Sequence, residues 1–134
     1  MPIEEGEHVV KGQVLARLDD SAQQASVAQA RAQFMAAKAL LVQYQAQLKE
    51  ARLENHRNAV LIRENSIAQQ TYDQSQAQVA ELEAMATSQS DQIRLAHAIL
   101  QAAQVQLDYT VVRAPYAGII VEKNAQVGEI VSPL

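Results

Sequence analysis

The chain contains no cysteine and no tryptophan, one phenylalanine and four tyrosines. Without cysteine, disulfides and thiolate metal sites are excluded. Five aromatics among 134 residues are too few for a bulky globular core, although 49% of the chain is apolar. The apolar share is mostly alanine, at 24 residues, and glutamine adds 19 more, a composition suited to long helices meeting along a narrow seam. Long hydrophobic runs are missing as well. The most apolar window, Phe34 to Val42, is interrupted by Lys38, whereas a membrane-crossing helix needs roughly 20 apolar residues. The charge is −4, from 11 basic and 15 acidic side chains mixed along the chain. That balance excludes a nucleic-acid binder, which needs a basic face against phosphate. The opening Met-Pro-Ile-Glu-Glu-Gly has no charged-then-apolar leader pattern, so any export signal or anchor of a parent protein is expected outside this sequence.

Glycine and proline are scarce and unevenly placed. Gly6, Gly12, Gly118, Gly128, Pro2, Pro115 and Pro133 all lie toward the ends, and neither residue type occurs from Gln13 to Ala114. Because these residues punctuate regular structure, the chain divides into two strand-like flanks around a helical middle. The reading is residues 1–19, a helical hairpin over 20–109 with its turn near 65–67, and residues 110–134.

The middle carries two heptad series. Val27, Phe34, Leu41, Leu48, Asn55 and Ile62 recur every seven residues, with Ala30, Ala37, Tyr44, Ala51 and Asn58 three behind. Tyr72, Val79, Ala86, Ile93, Leu100 and Leu107 form the second series, accompanied by Ser75, Leu82, Gln89, Ala96 and Ala103. A sustained seven-residue repeat specifies left-handed helix pairing. Asn65 tolerates the left-handed conformation that ends a helix, and Ser66 with Gln69 reads as a capping box for the next one. An antiparallel fold about this turn brings together residues whose numbers sum to about 130, so that Phe34 faces Ala96 and Leu48 faces Leu82. A one-turn slip, to sums near 137, fits almost as well. Layers near the turn, such as Asn55 with Ser75, are polar and are expected to be weak. Each helix is expected to run roughly 60–65 Å at 1.5 Å per residue, a rod without a pocket.

The flanks read as brief strands between glycine turns: Ile3 to Asp19 leading, Thr110 to Val121 trailing, then a last turn and strand over Val127 to Val131. Asp19 and Asp20 are expected to end the leading flank and cap the first helix. Isolated hairpins are marginal in water, so the two flanks are expected to pair into one small sandwich once the helices return the chain to its start.

The leading flank, Glu5-Gly6-Glu7-His8-Val9-Val10-Lys11-Gly12-Gln13-Val14-Leu15, resembles the first half of a biotinyl/lipoyl-type domain, with glycines and leucine spaced Gly-x5-Gly-x2-Leu. Thr110-Val111-Val112-Arg113-Ala114-Pro115-Tyr116-Ala117-Gly118-Ile119-Ile120 resembles the opening of the second half. A lipoyl-type domain split by a helical hairpin is the organisation of periplasmic adaptor, or membrane fusion, proteins of the HlyD family. The resemblance covers essentially the whole chain. It implies an α+β fold, with a long antiparallel two-helix coiled-coil hairpin inserted into a small biotinyl/lipoyl-like β-sandwich. It also implies the central piece of a longer periplasmic protein anchored at the inner membrane. Such an adaptor bridges an inner-membrane transporter, of ABC or proton-driven type, to a TolC-like outer-membrane channel within a tripartite efflux or type I secretion system. Copies are expected to pack side by side into a ring of six.

In family members that dock to such channels the hairpin tip reads Arg-x3-Leu-x6-Ser, which falls here on Arg57, Leu61 and Ala68. The first two match, and Ala68 lacks the hydroxyl. Arg57 and Leu61, four apart, share a helix face and are expected to offer a hydrogen-bonding fork and an apolar knob. The plainer alternative makes Arg57 a solvated charge and Leu61 the last seam layer. A biotin or lipoate carrier of a multienzyme complex would need an acceptor lysine. Glu83-Ala84-Met85-Ala86 has Ala86 where that lysine belongs, so no cofactor is expected. A coiled-coil scaffold without a transport role is the other alternative. His8, His56 and His97 have no ligand-like spacing, and no nucleophile–base set can be assembled, so neither a metal site nor an enzyme is expected.

Overall fold

The computed structural model describes residues 3–130. The elements run β1 (His8–Val9), β2 (Val14–Arg17), α1 (Ser21–Arg63), α2 (Gln69–Asp108), β3 (Val111–Arg113) and β4 (Gly118–Ile119). The fold is α+β, two long helices forming a hairpin plus small strands. At 43 residues α1 is roughly 65 Å long.

Every position of both heptad series is buried or half-buried, so the seam follows the seven-residue repeat throughout. Its apolar residues gather in two clusters. Val27, Ala30 and Leu100, with Phe34, Ala103 and Leu107 against them, lie at the base. Leu48, Ala51 and Leu82, with Val79, lie midway. Leu41, between these clusters, is only half-buried. Contacts fall on sums near 130 and not 137. Ser75 Oγ donates to Asn55 Oδ1 at 3.0 Å, and the Phe34 and His97 rings lie 5.4 Å apart. Ala96, the residue expected opposite Phe34, is half-buried on the seam, and His97 beside it is exposed. His97 stacks at an angle on the ring, whose far environment includes Lys38 Nζ at 5.4 Å.

The turn corrects one expectation and bears out another. Asn65 takes φ 54, Ser66 N donates to Leu61 O at 2.9 Å and Asn65 N to Ile62 O at 3.2 Å, the paired bonds of a Schellman ending. Ser66 is thereby drawn back onto α1, where its Oγ lies 3.5 Å from Glu64 O. It caps nothing in α2, whose first turn follows Ala68 without a side-chain cap. Gln69 turns forward instead, donating from Nε2 to Asp73 Oδ1 at 3.0 Å. At the start of α1, Asp19 and not Asp20 makes the polar contacts. Its Oδ1 accepts from Ser21 Oγ at 2.6 Å and from Ser21 N at 3.1 Å. These bonds, the hydroxyl's foremost, hold the Asp19 carboxyl below its usual 3.8.

Strands of the leading flank pair only with strands of the trailing flank among the described residues. β1 runs antiparallel to β4, His8 opposite Ile119 and Val9 opposite Gly118. β2 runs antiparallel to β3, Arg17 opposite Val111, with an irregularity between Val14 and Ala16. Gly12, at φ 85, turns the chain between β1 and β2, a conformation that costs a side-chain-bearing residue free energy. There its N–H donates to Ala114 O at 2.8 Å. Thr110 joins rod and flank: its Oγ1 donates to Leu107 O at 2.6 Å, while its carbonyl accepts from Leu18 N at 2.8 Å. The expected last strand is not formed over the described part of Val127 to Val131. Gly128 makes the turn, with Glu129 N donating to Gln126 O, but Val127 and Ile130 are over 90% exposed and pair with nothing described. Val131 lies outside the described residues.

Candidate functional site

The hairpin tip is where the chain is farthest from its own strands. Arg57 and Leu61 lie on the last two turns of α1 before Arg63, and Ala68 immediately precedes α2. Leu61 is half-buried and Ala68 exposed. The Arg57 guanidinium is already engaged. Nε and Nη2 both donate to Glu54 Oε2, at 3.1 and 2.5 Å, on a side chain 63% exposed. An exposed pair of this kind stabilises by about 0–1 kcal/mol, so exchanging Glu54 for another acceptor costs little. Glu54, missed in the sequence, stands three residues before Arg57, a spacing that places the two side chains side by side.

The rod has two unlike faces. An open groove on one is lined by Gln47, Glu50, Ala51, Glu54, Arg57, Gln78 and Leu82. The groove on the other is lined by Gln45, Leu48, Lys49, Arg52, Leu53 and Ala86, of which Arg52 reaches across to Glu83 of α2 in an ion pair at 2.7 Å. Met35 and Val42 precede Lys49 at seven-residue steps and share its face. Met85 and Ile99 follow Gln78 at multiples of seven residues, on the opposite face. All four are exposed apolar side chains. No hydroxyl stands at position 68, and the exposed Ser66 joins the ending of α1 through its backbone N–H. Among the described residues no group of three or more acidic or histidine side chains could hold a metal ion, and no helix is long and apolar enough to cross a membrane.

A rod of two paired helices, closed at its base by strands drawn from both flanks, defines a projecting hairpin module. The sequence pattern of the RND MFP alpha-helical hairpin domain matches residues 33–110, more than half of the chain. The chain therefore belongs to that family of membrane fusion proteins. It is 32% identical over 129 residues to the multidrug resistance protein MdtA of Klebsiella pneumoniae, and 33% identical over 129 residues to that of Escherichia coli O17:K52:H18. In both cases 96% of the chain matches 28% of the relative's length. The chain thus spans less than a third of the relatives it matches. The crystal structure of MacA from Actinobacillus actinomycetemcomitans superposes with TM-score 0.91 at 22% identity, over 97% of this chain and 40% of that one, a likeness of fold. The membrane fusion protein Spr0693 of Streptococcus pneumoniae R6 superposes with TM-score 0.65 at 27% identity, over 94% and 47%.

Proposed function

We propose that this chain is the hairpin-bearing segment of a periplasmic adaptor, anchored at the inner membrane and acting in a tripartite efflux system. The observation that carries the reading is the rod itself: a hairpin roughly 65 Å long, with paired strands at one end and a polar turn at the other. Such a shape spans distance and encloses nothing. The name of the MdtA relatives favours efflux over secretion, and the family description favours an RND-type transporter as the inner-membrane partner. Residues 1–19 and 110–134 act as the two halves of one lipoyl-like unit. A TolC-like channel meets the tip through Arg57, which exchanges Glu54 for an acceptor on the channel, and through Leu61. Ala68 offers only a close backbone approach. Copies pack side by side into a ring of six. Met35 and Val42 on one face and Ile99 and Met85 on the other support this arrangement, since unlike faces that complement each other build a closed ring.

The test uses the full-length protein in cells, with drug accumulation, expression level and thermal melt measured together. Arg57→Asp is expected to weaken docking by about 1–3 kcal/mol, to raise drug accumulation, and to leave the melt unchanged. Normal efflux at normal expression would reject the role of Arg57.

A further inference from the structure

Beyond the midway cluster of Leu48, Ala51 and Leu82, the next seam positions toward the turn are polar: Asn55, Asn58 and Ser75. Asn58 is only 5% exposed, and its side chain makes no hydrogen bond among the described residues. Asn55 Oδ1 accepts from Ser75 Oγ at 3.0 Å, but that hydroxyl also lies 2.7 Å from Tyr72 O, so one proton is divided between two acceptors. Neither asparagine's NH2 group has an acceptor among the described residues. No amide atom of either asparagine is both sealed from solvent and unbonded; what this layer lacks is apolar contact, so it adds little to hold the helix ends together. The apolar residues farther out, Leu61, Ile62, Ile67 and Tyr72, are half-buried, so they resist opening less than the two buried clusters do.

We propose that residues 55–75 form a separately opening tip: the two helix ends part from the Asn55–Ser75 layer outward while the base and midway clusters stay closed. Opening exposes Asn55, Asn58 and Ser75 more fully to water and bares the inner faces of both helix ends. The adaptor reading is not needed for this inference, because the isolated chain carries every residue involved.

Hydrogen exchange followed by mass spectrometry on the whole chain tests it. Amides of residues 56–74 are expected to exchange about tenfold or more faster than those of 44–52 and 79–87, as a local opening requires. Asn58→Leu places an apolar residue at a heptad position. It is expected to slow exchange over 56–74 by about tenfold and leave 27–51 and 82–105 unaltered. The double variant Asn55→Leu with Ser75→Ala should act in the same direction. Ordinary end fraying would not respond to Asn58. Uniform protection from 44 to 87, tip exchange indifferent to both variants, or an equal slowing along the entire rod would each overturn the proposal.

Discussion

Gln89 reaches across the seam and donates from Nε2 to the backbone carbonyl of Ala37 at 3.0 Å, joining helices through residues 52 positions apart. Gln89 is 9% exposed, so this bond satisfies a donor that would otherwise be buried alone. The Ala37 carbonyl, inside α1, does not depend on it.

That asymmetry distinguishes two substitutions. Gln89→Ala removes side-chain volume as well as the bond, and is expected to cost about 1–2 kcal/mol. Gln89→Leu restores the volume and orphans no donor, so its stability should equal or exceed the parent's. Urea denaturation of the three proteins decides the matter, and a leucine variant weaker than the alanine one would contradict it.

Seam burial sets a second gradation. Leu48, 8% exposed within the midway cluster, should cost about 2–4 kcal/mol as Leu48→Ala. Leu41, half-buried, leaves a cavity already open to water, and Leu41→Ala should cost about 1–2 kcal/mol. Gln43, exposed and off the heptads, should shift stability by less than about 0.5 kcal/mol as Gln43→Ala. The order of the three denaturation midpoints is the measurement. Equal midpoints would contradict the seam.

A third expectation concerns pH. The Asp19 carboxyl ionises more readily folded than unfolded, because the Ser21 hydroxyl and N–H bind its charged form. Its contribution is therefore fully present above the ordinary value of 3.8, and is lost as pH falls through the lowered folded value. Asp19→Ala should melt below the parent at neutral pH, and the gap should narrow on acidification toward about pH 2. A gap that stays constant over that range would show that the carboxylate's charge is irrelevant to the start of α1.

The seam was legible in the sequence because its cause is local and repeated. A side chain's place in the heptad decides which way it points from its helix, whatever the partner. Asn65 was legible for a similar reason, since an asparagine between two helical patterns is suited to a left-handed ending. Ser66 was misread because two local signals competed. Its spacing to Gln69 suits a cap, while its backbone N–H follows the left-handed Asn65 onto Leu61 O. The tip residues Arg57, Leu61 and Ala68 came from resemblance to a family motif. Neither heptad nor composition marks them.

Spacing of glycine, proline and apolar residues by itself determined that this chain makes two long helices, where they turn and which stripes they bury, because each of those outcomes is settled within a few residues. Only the tertiary structure decided which turn of α1 meets which turn of α2, that Gln89 bonds to Ala37 and Ser75 to Asn55, and that β1 and β2 pair with β4 and β3. Two registers offered nearly the same apolar contacts. The slipped one would bury Asn55 against Leu82 and Gln89 against Leu48, leaving polar groups unpaired. It would also draw Arg17 away from Val111. Those penalties arise between residues dozens of positions apart, which no local pattern records.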